Sequence, residues 1–140
     1  MKKKSMVIGF ALWGLTTLAC AATPTEQMEG FLLQLEQQGV EPAVQAFFRP
    51  SPGASVAMPQ ILMMQQQLKT VLPTLGTASG FEKVREWSLA PSLTRLMYLG
   101  KYPQTPLIWS AYFYKSSDGQ WWPARLDIST DLNKALDGLN

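Results

Sequence analysis

The chain has 140 residues, with twelve Lys+Arg, ten Asp+Glu, no His and one Cys. That length suits a single domain. Without His there is no Ser-His-Asp triad, and with a lone Cys there is no zinc site of the usual kinds, so the commonest general base and the commonest metal ligand are both excluded.

Met1-Lys2-Lys3-Lys4 is a positively charged start. Val7 to Leu18 is an apolar run broken by Gly9, Gly14, Thr16 and Thr17, and Ala19-Cys20-Ala21 is an A-x-A cleavage pattern. These features predict a secretory signal peptide over residues 1–21, whose apolar part is too short for a stable membrane span. Cys20 offers the alternative of a lipoprotein, but Thr17 stands where a lipoprotein box carries an aliphatic residue, so cleavage after Ala21 is favoured. The expected product, residues 22–140, is a single α+β domain, periplasmic or secreted. Loss of Lys2, Lys3 and Lys4 leaves nine basic residues against ten acidic ones, a charge of −1. No basic footprint for nucleic acid or anionic lipid remains. Cys20 leaves as well, and with it any disulfide or thiolate chemistry.

Thr23-Pro24-Thr25-Glu26 reads as a capping box with proline at the first helical position. Met28, Phe31, Leu32 and Leu35 then give one apolar helix face, and Gly39 ends it. A second helix is predicted over Pro42–Phe48, with Val44, Phe47 and Phe48 buried. Residues 49–55 form a loop rich in Pro, Ser and Gly. A third helix is expected from about Ala57 to Leu75 on the stripe Ile61, Met64, Leu68, Leu72 and Leu75, with Gln65, Gln66 and Lys69 mostly outward and Met58, Met63 and Met64 filling the core. Pro73 is expected to kink it or stop it near Leu72.

After Gly80 the hydrophobic period changes from 3.6 to 2. Strands are predicted over Phe81–Leu89, Leu93–Lys101, Leu107–Lys115 and Trp121–Ile128. The links are short, so the strands should form an antiparallel meander with the helices on one face. Thr130 is expected to cap a short C-terminal helix carrying Leu132, Leu136 and Leu139.

A register follows from the turns. A two-residue Asp118-Gly119 turn sets Ser117 opposite Gln120 and Tyr112 opposite Arg125. A turn between Pro103 and Gln104 sets Arg95 beside Tyr112, and one at Ala90-Pro91 sets Glu86 beside Arg95. One face then carries the row Glu86, Arg95, Tyr112, Arg125 and the row Val84, Met97, Ser110, Asp127. The other face holds Trp87, Leu96, Phe113, Ala111, Leu126, Trp109 and Ile128 and should meet the helices. A one-residue slip would exchange the faces.

The pattern Gly80-Phe81-Glu82, Ser92-Leu93-Thr94-Arg95-Leu96-Met97-Tyr98, Pro106-Leu107-Ile108-Trp109 with Phe113-Tyr114, and Gly119-Gln120-Trp121 resembles small exported bacterial proteins of unknown function. These share the cone-shaped, cystatin-like plan of the nuclear transport factor 2 superfamily. The resemblance spans residues 25–128. It implies a fold and transfers no functional residue.

Glu86, Arg95, Tyr112, Arg125 and Asp127 form a candidate surface for a ligand or partner, because arginine and tyrosine are enriched at interface centres. Trp121 joins them from the pair Trp121-Trp122, whose adjacent side chains point to opposite faces, so that one is expected to pack inward and the other to stay at least half exposed. No phosphate-cradling glycine motif or calcium-spaced acidic loop occurs, so no cofactor or metal is expected. The leading expectation is a non-catalytic exported domain that binds a protein or a small apolar ligand, with a homodimer through the open sheet as one form. Two alternatives are a small hydrolase or isomerase using Asp127 with Tyr112 and an inhibitor of a cell-wall enzyme.

Overall fold

The computed structural model of the chain describes residues 21–133. The leader and most of the helix expected after Thr130 lie outside the described residues. Helix α1 spans Pro24–Gln38 and opens on the predicted capping box. The Glu26 amide donates to Thr23 Oγ1 at 3.2 Å, and the Thr23 amide donates to Glu26 Oε2 at 2.8 Å. Gly39, at φ 88°, both ends α1 and opens α2, which spans Val40–Phe48. α2 therefore starts two residues earlier than expected. Pro42 falls at its third position, where no intrahelical N–H bond is lost.

Helix α3 spans Met58–Leu75 and so does not stop near Leu72, one of the two outcomes expected of Pro73. The helix runs through it to Leu75 and ends at Gly76, whose φ is 83°. Pro73 lies in the last turn, so its ring removes one hydrogen bond rather than a continuing ladder. Thr74 Oγ1 donates to the Val71 carbonyl at 2.6 Å. The predicted stripe Ile61, Met64, Leu68, Leu72 and Leu75 does pack on the core, but two other expectations fail. Gln65 is buried with Ile61, Leu68 and Leu75, whereas Met58 and Met63 are exposed. No helix among the described residues is long and apolar enough to cross a membrane.

Four strands, β1 (Phe81–Ala90), β2 (Leu93–Lys101), β3 (Pro106–Lys115) and β4 (Trp121–Ser129), pair antiparallel in the order β1-β2-β3-β4. The result is an α+β domain with three helices against one face of the meander. α1 lies over β2 and β4, α2 lies over β4, and α3 packs on α2. Trp109, Phe113, Leu96, Ala111 and Leu126 are fully buried under the helices. Phe31 meets Trp109 edge-on at 5.8 Å between ring centroids, and Phe47 meets Phe113 at 5.9 Å. Each large side chain so buried stabilises by roughly 1.5–3 kcal/mol, against about 0–1 kcal/mol for an exposed ion pair. The core therefore sets which face is which.

The predicted β2–β3 register holds along the whole pair, with Arg95 opposite Tyr112. The β1–β2 register holds only over Phe81–Lys83. Between the unpaired bulge residues Val84 and Leu89 it is shifted by one, so Trp87 lies opposite Arg95 and Glu86 opposite Leu96. Each bulge adds one residue to β1 and advances its pairing by one place. Trp87 thus moves to the outer face and Glu86 to the helix side, the reverse of the expectation, and Arg85 takes the place assigned to Val84. At β3–β4 the turn has three residues rather than two. The Ser116 amide donates to the Gln120 carbonyl at 2.9 Å and the Gly119 amide to the Ser116 carbonyl at 2.9 Å, with Gly119 at φ 86°. Ser117 therefore does not oppose Gln120. A bulge at Ala124 then restores the step, so Tyr112 still opposes Arg125.

Candidate functional site: the outer face of the sheet

With the helices on one side, the other side of the sheet is open. The observed register lines up Trp87, Arg95, Tyr112 and Arg125 in one row and Arg85, Met97, Ser110 and Asp127 in the next. Met97 and Ile108 are buried beneath this surface, with Trp87 and Leu99 packed on them. They give the polar side chains a buried apolar floor.

Arg95 is the centre of the arrangement. Its guanidinium carbon lies 5.0 Å from the ring centroid of Trp87 and 5.6 Å from that of Tyr112. Its Nε donates to Ser110 Oγ at 2.9 Å, and Ser110 is itself buried. Arg85 also stands over Trp87, at 5.2 Å. Such cation–ring contacts contribute about 0.5–1 kcal/mol each at exposed sites and more where water is excluded. Among the described residues, neither Arg85 nor Arg95 has a carboxylate within ion-pair distance.

Arg125 differs. Its Nε donates to Asp127 Oδ2 at 2.7 Å. That hydrogen bond, and then the charge of Asp127, raises the pKa of the guanidinium. The face thus presents three guanidinium groups and one carboxylate across these two rows. A shallow hollow of about 240 Å³ lies between them, bordered by Arg95, Ser110, Tyr112, Arg125 and Asp127. A larger, mostly apolar groove of about 830 Å³ runs between α3 and the edge strand β4, past Val56, Met63, Met64 and Leu126.

Four of the six residues singled out in the sequence come together on the outer face: Arg95, Tyr112, Arg125 and Asp127. Glu86 and Trp121 do not. Glu86 turns to the helix side, where it takes a bond from Lys83 Nζ at 2.7 Å, and Lys83 Nζ also donates to Thr25 Oγ1 at 2.8 Å. Trp121 packs against the helix-side core, with Lys115 Nζ 5.6 Å from its ring centroid and its carbonyl accepting from Gln27 Nε2 at 2.9 Å. Trp87 and Arg85 are the residues that sequence reasoning missed. The period-2 alternation did not mark them, because Phe81 and Trp87 share parity and a regular strand puts both on one face.

Comparison of the chain with known protein families, with curated proteins and with solved structures finds no match.

Proposed function

We propose that the chain is an exported, non-catalytic binding domain whose working surface is the outer face of its sheet. The observation that carries this reading is Arg95, held between Trp87 and Tyr112 and fixed by Ser110, with its terminal nitrogens left without a partner among the described residues. A fixed arginine keeps little side-chain entropy to lose on binding, so a ligand meeting its fork gains more per hydrogen bond than one meeting a free chain. Chemistry is less well supported. Asp127, the carboxylate that a hydrolase or isomerase reading would use with Tyr112, is already engaged by Arg125 at 2.7 Å. The helix side of the sheet, where a nuclear transport factor 2-like pocket would open, is occupied by Trp109, Phe113 and Leu96. On this reading the helices-then-meander plan serves as a platform.

Peptide and glycan arrays probed in parallel with the protein and with its Arg95→Ala variant test the proposal. At least one class of ligand should be retained by the protein and lost by the variant. Identical capture by both would remove the outer face as the binding surface. The export half is checked separately: the secreted or periplasmic product should begin at Ala22.

A further inference from the structure

We infer that the Arg95 slot receives an acidic side chain, the carboxylate of Asp or Glu on a segment of a partner protein, with Arg85 as the second contact. The inference rests on the outer face being the working surface and adds the chemistry of what sits there.

Three features of the slot select a carboxylate. The first is charge: three guanidinium groups face outward with Asp127 as their one carboxylate partner among the described residues, so the face is complementary to an anion. The second is direction. Ser110 Oγ occupies Nε, so the Arg95 guanidinium offers a ligand its terminal, end-on edge. The third is shape. Trp87 and Tyr112 flank Arg95 within its row, at 5.0 and 5.6 Å from the guanidinium carbon. A planar carboxylate forms two parallel N–H···O bonds in the guanidinium plane and fits between such walls. A tetrahedral sulfate or phosphate that makes the same two bonds turns its remaining oxygens out of that plane, toward a ring.

The rings also favour a peptide over an acidic sugar. Sugar rings bind proteins by lying flat on an aromatic face. Here Trp87 carries both Arg85 and Arg95 over its ring, and Tyr112 carries Arg95. A carboxylate on the short, flexible stem of Asp or Glu needs no ring face. It needs only the open edge of the fork, and a neighbouring acidic residue on the same segment can reach Arg85.

The test is an NMR titration of isotope-labelled protein at low ionic strength. The probe is a hexaglutamate peptide, and the comparisons are hexaglutamine, trigalacturonate and inorganic sulfate. Hexaglutamate should shift the Arg95 Nε–H and Trp87 indole signals saturably. Its affinity should fall about tenfold in Arg95→Lys, which keeps the charge but loses the fork. It should also fall steeply at about 0.5 M salt. An unchanged amide spectrum shows that the variant is folded. Equal binding of hexaglutamine or sulfate, or an unchanged affinity in Arg95→Lys, overturns the inference. Tighter binding of trigalacturonate at the same two signals overturns it while leaving the outer face as the working surface. If no probe moves either signal, the acidic-segment inference falls, and the array comparison decides the broader reading alone.

Discussion

Gly100 shows how tightly the residues on the helix side of the sheet are fitted. A Cβ at this position would lie 2.7 Å from Tyr102 Cε2, 3.0 Å from Trp109 Nε1 and 3.3 Å from Phe81 Cε1. Three rings meet over the absent side chain, and two of them belong to large core residues that cannot both withdraw. Gly100→Ala should therefore destabilise the protein by about 1–3 kcal/mol, the usual cost of overpacking, seen as a lower urea midpoint at unchanged slope. The same neighbourhood sets an alkaline limit on stability. Burial, and then the charge of Glu29, pushes Tyr98 up to about 12, and its hydroxyl donates to Glu29 Oε1 at 3.3 Å. Burial, with Glu36 next, pushes Tyr102 up to about 12 as well. Both values lie above the ordinary 10, so between pH 10 and about 12 the unfolded chain gives up these protons while the folded chain keeps them. Stability is fully present below pH 10 and drains away as the pH rises through 12. Urea midpoints across this window should fall, and the Tyr98→Phe, Tyr102→Phe double variant should lose most of that fall.

Among the elements, α3 carries the clearest unspent stability. Pro73 has no N–H to give to the Lys69 carbonyl, yet the helix continues to Leu75. In this last turn Pro73 costs the helix one hydrogen bond, about 0.5–1.5 kcal/mol, and some ring crowding, while its stiffening of the unfolded chain returns about 0.4–1 kcal/mol. Pro73→Ala should therefore stabilise by no more than about 1 kcal/mol, visible as a slightly higher thermal midpoint. The extents of α1, α3 and the four strands were legible to about a residue because their punctuation is chemical: Thr23 with Glu26, Gly39, Gly76 and the proline-rich turn at 103–106. The meander was legible for the same reason. The register was legible only where the ladder is regular. Between β2 and β3 nothing interrupts it, and Arg95 meets Tyr112 as expected. Between β3 and β4 the wrong turn length and the unforeseen bulge at Ala124 offset one another, so Tyr112 and Arg125 met for a reason the sequence had not supplied. Between β1 and β2 the turn falls one residue later than predicted and the bulges at Leu89 and Val84 offset it in two steps, so the predicted register returns at Phe81–Lys83 but not between the bulges. Glu86 and Trp87 exchanged faces, and the aromatic half of the site went unseen. A bulge depends on how a strand coils over its neighbours, which alternation alone does not encode. The methionines of α3 failed differently. Met64 packs on the core as expected, but Met63 is 72% exposed along the groove beside β4, because it lies on the side of α3 opposite Ile61, Gln65 and Leu68.

For the molecule as a whole, the distribution of charge decides between two kinds of partner for the outer face. A two-fold pair of this chain built through that face is isologous, so each patch meets its own copy. Arg85, Arg95 and Arg125 would then confront the same three groups across the interface, offset by Asp127, since the other carboxylate on this face among the described residues, Glu82, is already paired with Lys101. Like charges brought together in an interface cost several kcal/mol. The hydrophobic return is reduced because Met97 and Ile108 are already covered, and it must come from Trp87, Leu93, Leu99, Tyr112, Tyr114 and Trp122, which stay partly or fully open on this face. The charge repulsion predicts a monomer in sedimentation velocity at low ionic strength over the accessible concentration range. A segment rich in Asp or Glu faces no such opposition, since each of its carboxylates removes a like-charge contact instead of adding one. The two partners also respond oppositely to salt. Raising the ionic strength to about 0.5 M shortens the screening length to roughly 4–5 Å, which weakens the acidic partner and relieves the self-contact. A dimer that is already present at low salt and is broken by Trp87→Ala would show that the face complements itself, and the charge argument for an acidic partner would then fail.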